Sequence, residues 1–109
     1  MKKITYRYQL YLSDSINYGD IFKIKRKLDT SPLRADVYLI TRSINENEQL
    51  DIFHSKYLPQ KFYSMHDKSL HVFGITKTKE EALFIVEKIA QECLDARGDV
   101  NIIKYLIGE

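Results

Sequence analysis

Apolar and polar residues alternate from residue 4 to residue 12. Ile4, Tyr6, Tyr8, Leu10 and Leu12 share one side of an extended chain, and Thr5, Arg7, Gln9 and Tyr11 share the other. A period of two with β-branched and aromatic content predicts a half-buried strand. The Asp-, Ser- and Asn-rich stretch from Ser13 to Gly19 predicts a turn. In residues 20–28, Ile21, Ile24 and Leu28 share a helical face with Asp20 placed to cap it, which predicts a short basic helix. Phe22, Ile24 and Leu28 also suit a strand, so both readings stand at this point. Residues 29–33 read as a loop.

Residues 36–44 are apolar on both faces near their start, the pattern of a strand in the middle of a sheet. A polar turn at 45–48 and a return strand at 50–54 complete a hairpin. Residues 55–69 read as irregular, with one helical turn near Ser55–Leu58 ahead of Pro59. Residues 70–76 form another largely apolar strand. Residues 79–97 carry the strongest signal. Thr78 and Glu81 make a T-x-x-E capping box. Ala82, Leu83, Val86, Ile89, Ala90 and Cys93 form an apolar stripe, and Gly98 stands where a left-handed residue ends a helix. Residues 100–107 read as a last strand, apolar on both faces.

The order β-α-β-β-turn-β-α-β predicts an α+β fold, a ferredoxin-like βαββαβ-type sandwich with one extra strand. The helices are expected on one face of the sheet. The other face is then open to solvent or to an interface.

Length and composition narrow this picture. With 109 residues, 44% hydrophobic and 29% charged, the chain supports one domain spanning 1–109 and one core. No apolar run approaches the roughly 20 residues of a transmembrane helix, and no apolar segment of a signal peptide follows the basic start. A single cysteine, Cys93, argues for a reducing compartment, so the expectation is a cytoplasmic protein without membrane contact. Lys plus Arg number 17 against 15 Asp plus Glu. The excess is uneven: residues 1–34 hold 8 basic and 3 acidic groups, and the remainder holds 9 and 12. A domain built for nucleic acid shows a stronger excess, so nucleic acid is an unlikely partner.

The stretches Tyr38-Leu-Ile-Thr, Leu50-Asp-Ile and Leu70-His-Val-Phe-Gly-Ile-Thr-Lys-Thr-Lys-Glu-Glu-Ala-Leu resemble small uncharacterised α+β proteins of Gram-positive anaerobes. The resemblance spans about half the chain and implies no activity and no site residues.

Candidate chemistry is sparse. His54, His66 and His71 lack the tight spacing of a zinc site, so neither a metal nor another cofactor is expected. Cys93 in the helix stripe reads as a small core hydrophobe. The carboxylate pairs Glu46/Glu48, Glu80/Glu81 and Asp95/Asp99 read as turn, cap and helix-end residues, and no glycine-rich phosphate loop is present. The long segment 55–69 makes Tyr57, Tyr63 and His66, with His71, the candidate ligand-binding residues. An alternative is a small-molecule enzyme using a His/Tyr/Asp cleft under that segment, with His54, His66 or His71 beside Tyr63 and Asp67. A second is a nucleic-acid-binding module using Arg7 and the basic segment 23–27 on one open face. The favoured reading is a non-catalytic binding or assembly module, homodimeric through Phe84, Ile103 and Tyr105, because apolar positions exceed what one sheet face needs.

Overall fold

In the computed structural model, which describes residues 4–43, 48–65 and 69–108, the chain forms four strands and five helices. The strands are β1 (Ile4–Leu12), β2 (Tyr38–Arg42), β3 (Leu50–His54) and β4 (Leu70–Thr76). The helices are α1 (Ile21–Thr30), α2 (Pro32–Ala35), α3 (Leu58–Met65), α4 (Lys79–Arg97) and α5 (Ile102–Ile107), with short 3-10 turns before α1 and α3. Segment 20–28 thus resolves as helix. The predicted turn at 45–48 falls mostly outside the described residues.

The sheet order is β1-β4-β2-β3. β4 runs parallel to β1 and antiparallel to β2, and β2 pairs antiparallel with β3. The α+β class and a mixed sheet are therefore present. Two finer expectations are corrected. The helices cover both faces of the sheet, and residues 102–107 are helix where a fifth strand was expected.

The two-sided cover follows from the central strands. Leu39, Val72 and Ile75 join Leu28, Leu58 and partly buried Ile21, Ile24 and Phe62 in one core under α1, α2 and α3. Ile40 and Phe73, from the same strands, join Ala82, Ile85, Ile89 and Leu106 under α4 and α5. A strand apolar on both faces must be buried on both faces, so a one-sided sandwich was excluded by residues the sequence already displays.

α5 forms because its ends are capped. Asn101 Oδ1 accepts from the Lys104 amide at 3.2 Å, and Gln49 Oε1 accepts from the Ile102 and Ile103 amides at 2.6 and 3.3 Å. Gly108 ends it in the left-handed region at φ 80°, where glycine has no Cβ penalty. Ile102, Ile103, Tyr105 and Leu106 then pack on the α4-side core. The apolar surplus read as a dimer surface is thereby largely absorbed within one chain.

α4 carries the expected reciprocal cap: the Glu81 amide donates to Thr78 Oγ1 at 3.1 Å, and the Thr78 amide donates to Glu81 Oε1 at 3.1 Å. Its buried line is Ala82, Ile85, Ile89 and Cys93. Leu83, placed in the stripe by spacing, is exposed, whereas Ile85 is buried.

Two irregularities break the sheet. Ile40 faces Gly74 but Thr41 faces Val72, so Phe73 is an extra residue in β4 and both it and Gly74 turn toward α4. In β1, Tyr6 faces Val72 and Tyr11 faces Gly74. Five residue steps on β1 thus match two on β4, leaving residues 7–10 as a bulge. A Cβ on Gly74 would sit 3.0 Å from the Tyr11 carbonyl oxygen and 3.1 Å from Ile40 Cδ1. Glycine is required here by close approach of neighbouring backbone.

Ile89→Ala is expected to cost about 2–5 kcal/mol through lost transfer energy and a cavity. Gly74→Ala is expected to cost about 1–3 kcal/mol through overpacking against a backbone oxygen that cannot yield cheaply. Urea melts of both variants check this. A Gly74→Ala protein as stable as the parent would mean the strand bulge relaxes freely.

Candidate functional site

The β1 bulge borders a concavity that brings Arg7 and His71 together with three tyrosines. Arg7 reaches toward α5, where its Nε donates to the Leu106 carbonyl at 3.1 Å, and its Nη1 donates to the Gln9 carbonyl at 2.6 Å. The guanidinium also lies 5.3 Å from the Tyr11 ring centroid, a cation–π distance. Between the bulge and the end of α5 opens a cleft of about 480 Å³. Tyr6, Arg7, Tyr8, His71, Tyr105 and Ile107 are among its walls.

One carboxylate ties the neighbouring elements together. Tyr11 Oη donates to Glu92 Oε1 at 2.7 Å, and Tyr105 Oη donates to the same oxygen at 3.1 Å. β1, α4 and α5 thus meet at Glu92. Burial, with the Glu92 hydrogen bond next in weight, pushes the Tyr11 hydroxyl well above its ordinary pKa of 10.0. Tyr11 therefore stays a hydrogen-bond donor across the physiological range.

His71 sits on the next strand. Its Nδ1 shares a 2.7 Å hydrogen bond with Thr5 Oγ1, and its ring meets the Phe73 ring edge-on at 4.9 Å. Nε2 has no hydrogen-bond partner among the described residues. Burial, and secondly the positive charge of Arg42, hold its pKa below the ordinary 6.5. His71 is consequently neutral at pH 7.

The sequence candidates distribute over the fold as follows. Arg7, His71 and Tyr105 come together at this cleft. Tyr57 and Tyr63 lie with the 3-10 turn and α3 on the opposite side of the sheet, and Tyr63 is 87% exposed. The segment after β3 is an ordered helix because Leu58 and Phe62, one helical turn apart, both anchor in the α1-side core. It therefore cannot roof His71, which lies on the other face. His66 and Asp67 lie outside the described residues.

His54 lies at the far end of the α4 face. It pairs with Tyr38, which pairs with Thr76, five residues along β4 from His71. Both of its ring nitrogens are engaged. Nδ1 accepts from the Lys56 amide at 3.0 Å, so Nε2 carries the hydrogen and donates to Asp36 Oδ1 at 2.8 Å. This histidine caps the turn into α3 and holds Asp36 in its left-handed conformation, φ 49°.

The joint basic face required for nucleic acid is also missing from the arrangement. Arg7 points to α5, whereas the 23–27 segment lies in α1 across the sheet, with Lys25 Nζ 4.5 Å from the Tyr6 ring centroid and Arg26 over the Phe22 ring. Helices cover both sheet faces, leaving no open platform for stacked bases.

Cys93 is buried and its Sγ donates to the Asp99 carbonyl at 3.4 Å. Among the described residues no group of three or more His, Cys, Asp or Glu could hold a metal ion, and no helix is long and apolar enough to cross a membrane. Phe84 is 68% exposed on α4, whereas Ile103 and Tyr105 are half-buried on the core. Sequence reasoning missed Glu92 and the role of Tyr11, which alternation alone placed on the outer side of a regular strand.

Comparison with protein-family models, curated proteins and solved structures finds no match for this chain.

Tyr11→Phe and Tyr105→Phe are each expected to cost about 1–3 kcal/mol, the scale of a hydrogen bond to a charged acceptor. The double variant should cost less than the sum if both hydroxyls serve one carboxylate; a double-mutant cycle in urea melts reads this. His71 gives a pH signature. Its folded pKa lies below the unfolded value near 6.5, so the unfolded chain takes up the proton first as pH falls. Stability should therefore decline as pH drops through 6.5 and below. His71→Gln should flatten that part of the profile, and an unchanged profile would show that His71 does not titrate with folding.

Proposed function

We propose that the protein is a non-catalytic binding module whose site is the cleft between the β1 bulge and α5. The observation that carries this reading is the convergence of Arg7, Tyr8, His71 and Tyr105 from three elements around about 480 Å³ of space. That volume suits a small ligand or one side chain of a partner. The chemistry there favours holding over transforming. Arg7 is tethered by two carbonyls, the Tyr105 hydroxyl is committed to Glu92, and His71 shares Nδ1 with Thr5. A general base needs a nucleophile within reach; His54 has both ring nitrogens bonded and Cys93 is buried, so neither joins the open Nε2 of His71 in such a pair.

Self-association is a second reading, now carried chiefly by α4. Phe84 at 68% exposure, with Leu83 at 48% and Leu94 at 46%, leaves apolar area outside the core. A twofold contact through α4 would place these residues at its centre and the helix charges at its rim.

Two measurements test these readings. Amide NMR of the labelled chain, screened against neutral, cationic and anionic fragments, should show saturable shifts clustering at residues 7–9, 71 and 105–108. Hits confined to other surfaces would overturn the cleft as the binding site. Light scattering at micromolar concentration should report twice the monomer mass and revert to monomer for Phe84→Asp. A monomer mass in the parent protein removes the α4 contact while leaving the cleft untouched.

A further inference from the structure

We propose that the cleft takes a small aromatic carboxylate. This deepens the reading of the cleft as the binding site and rests on it. Three features of the cleft specify the class.

The first is charge. Arg7 keeps Nη2 without a partner among the described residues. A guanidinium with one free edge is a directional donor for a carboxylate. Arg42 adds a second positive charge. It follows Thr41, which faces Val72, and so lies at the level of His71. Among the described residues, the acceptors named here are already answered. Glu92 receives both tyrosine hydroxyls. The Leu106 carbonyl at the end of α5 receives Arg7 Nε, and the Gly108 amide caps the Lys104 carbonyl.

The second is an open ring nitrogen beside that charge. His71 has Nδ1 engaged with Thr5 and Nε2 unengaged among the described residues. Nε2 donates to an incoming carboxylate in the tautomer whose Nδ1 accepts from Thr5 Oγ1, and in the protonated ring, which adds a charge.

The third is the wall. Tyr8 is 98% exposed, and Tyr105 and Ile107 also line the cleft. An exposed ring and a half-buried ring in one lining offer flat apolar surface to a planar ligand. A phosphate would use the charges and leave these surfaces unused. A neutral aromatic would use the surfaces and leave Arg7 unanswered.

The test is an amide NMR titration of the full chain with benzoate, cyclohexanecarboxylate and benzamide. Benzoate should shift the amides of residues 7–9, 71 and 105–108 saturably. Benzamide, with the same ring and no charge, should bind at least about tenfold more weakly, the scale of a charge-assisted hydrogen bond. Cyclohexanecarboxylate should fall between them. Arg7→Lys, which keeps the charge and loses the planar fork, should weaken benzoate by about tenfold. Because Arg7 also anchors α5, His71→Gln is the companion variant, with amide dispersion reporting whether each remains folded; it should weaken benzoate severalfold. Benzamide binding as tightly as benzoate overturns the carboxylate class while leaving the cleft as a binding site. Absence of saturable shifts at these amides with all three probes overturns the carboxylate proposal. If the fragment screen is also silent there, the binding-site reading fails with it.

Discussion

β4 sets the terms for every other element. It is hydrogen-bonded on both edges, to β1 and to β2, and from Leu70 to Thr76 only His71 is less than fully buried. A strand in that position has no polar face to give to water. Its side chains must therefore be covered from both sides. α1, α2 and α3 cover one side and α4 and α5 the other, and the chain between the strands is occupied in supplying them. Even the short α5 answers this demand: without Leu106 and its neighbours, the Phe73 side of the sheet would lie open at the end away from the α4 cap.

The same central strand creates the site. Phe73 is an extra residue opposite β2, and Gly74 brings β4 within van der Waals distance of the Tyr11 backbone. β1 accommodates this with residues 7–10, which leave the pairing and rejoin it at Tyr11. Arg7 and Tyr11, which the alternation of β1 puts on one side, reach the Leu106 carbonyl and Glu92 there. Packing in the core and geometry at the cleft are thus one arrangement.

The local signals were legible wherever one residue type does one job. Thr78 and Glu81 make the reciprocal cap that their spacing announces, and the strands at 4–12, 50–54 and 70–76 match their alternation or apolar run. What was not legible depended on partners far along the chain. Val100–Ile107 reads equally as a two-faced strand or a short helix; Asn101, Gly108 and the side chain of Gln49, some fifty residues earlier, decide for helix. Segment 55–69 reads as loop-like because Leu58 and Phe62, the anchors among residues 55–63, are only one turn apart and stand among Ser, Lys, Gln and exposed tyrosines. Of the candidate residues, His71, Arg7 and Tyr105 meet only through the β1 bulge, and alternation within β1 gives no hint that its pairing with β4 slips.

A bulge on an edge strand has two possible explanations, and the side chains separate them. β1 is an outer strand of the sheet, and proteins protect such edges from pairing with other chains by bulges, by proline or by outward lysines. A purely protective bulge would point its charge at solvent. Here the charge points inward: Arg7 spends two of its nitrogens on carbonyls of α5 and of its own strand and rests on the Tyr11 ring, while the residues left outside are Tyr8 and Gln9. An exposed tyrosine is a poor guard for an edge, since β-rich contacts favour aromatics. Holding an arginine in place next to a concave wall is costly in side-chain entropy, and that ordering is complete before any ligand arrives. A preorganised cation beside an aromatic rim is an arrangement that lowers the ordering cost of binding, and on the reading proposed above this accounts for the bulge carrying these residues in place of lysine or proline.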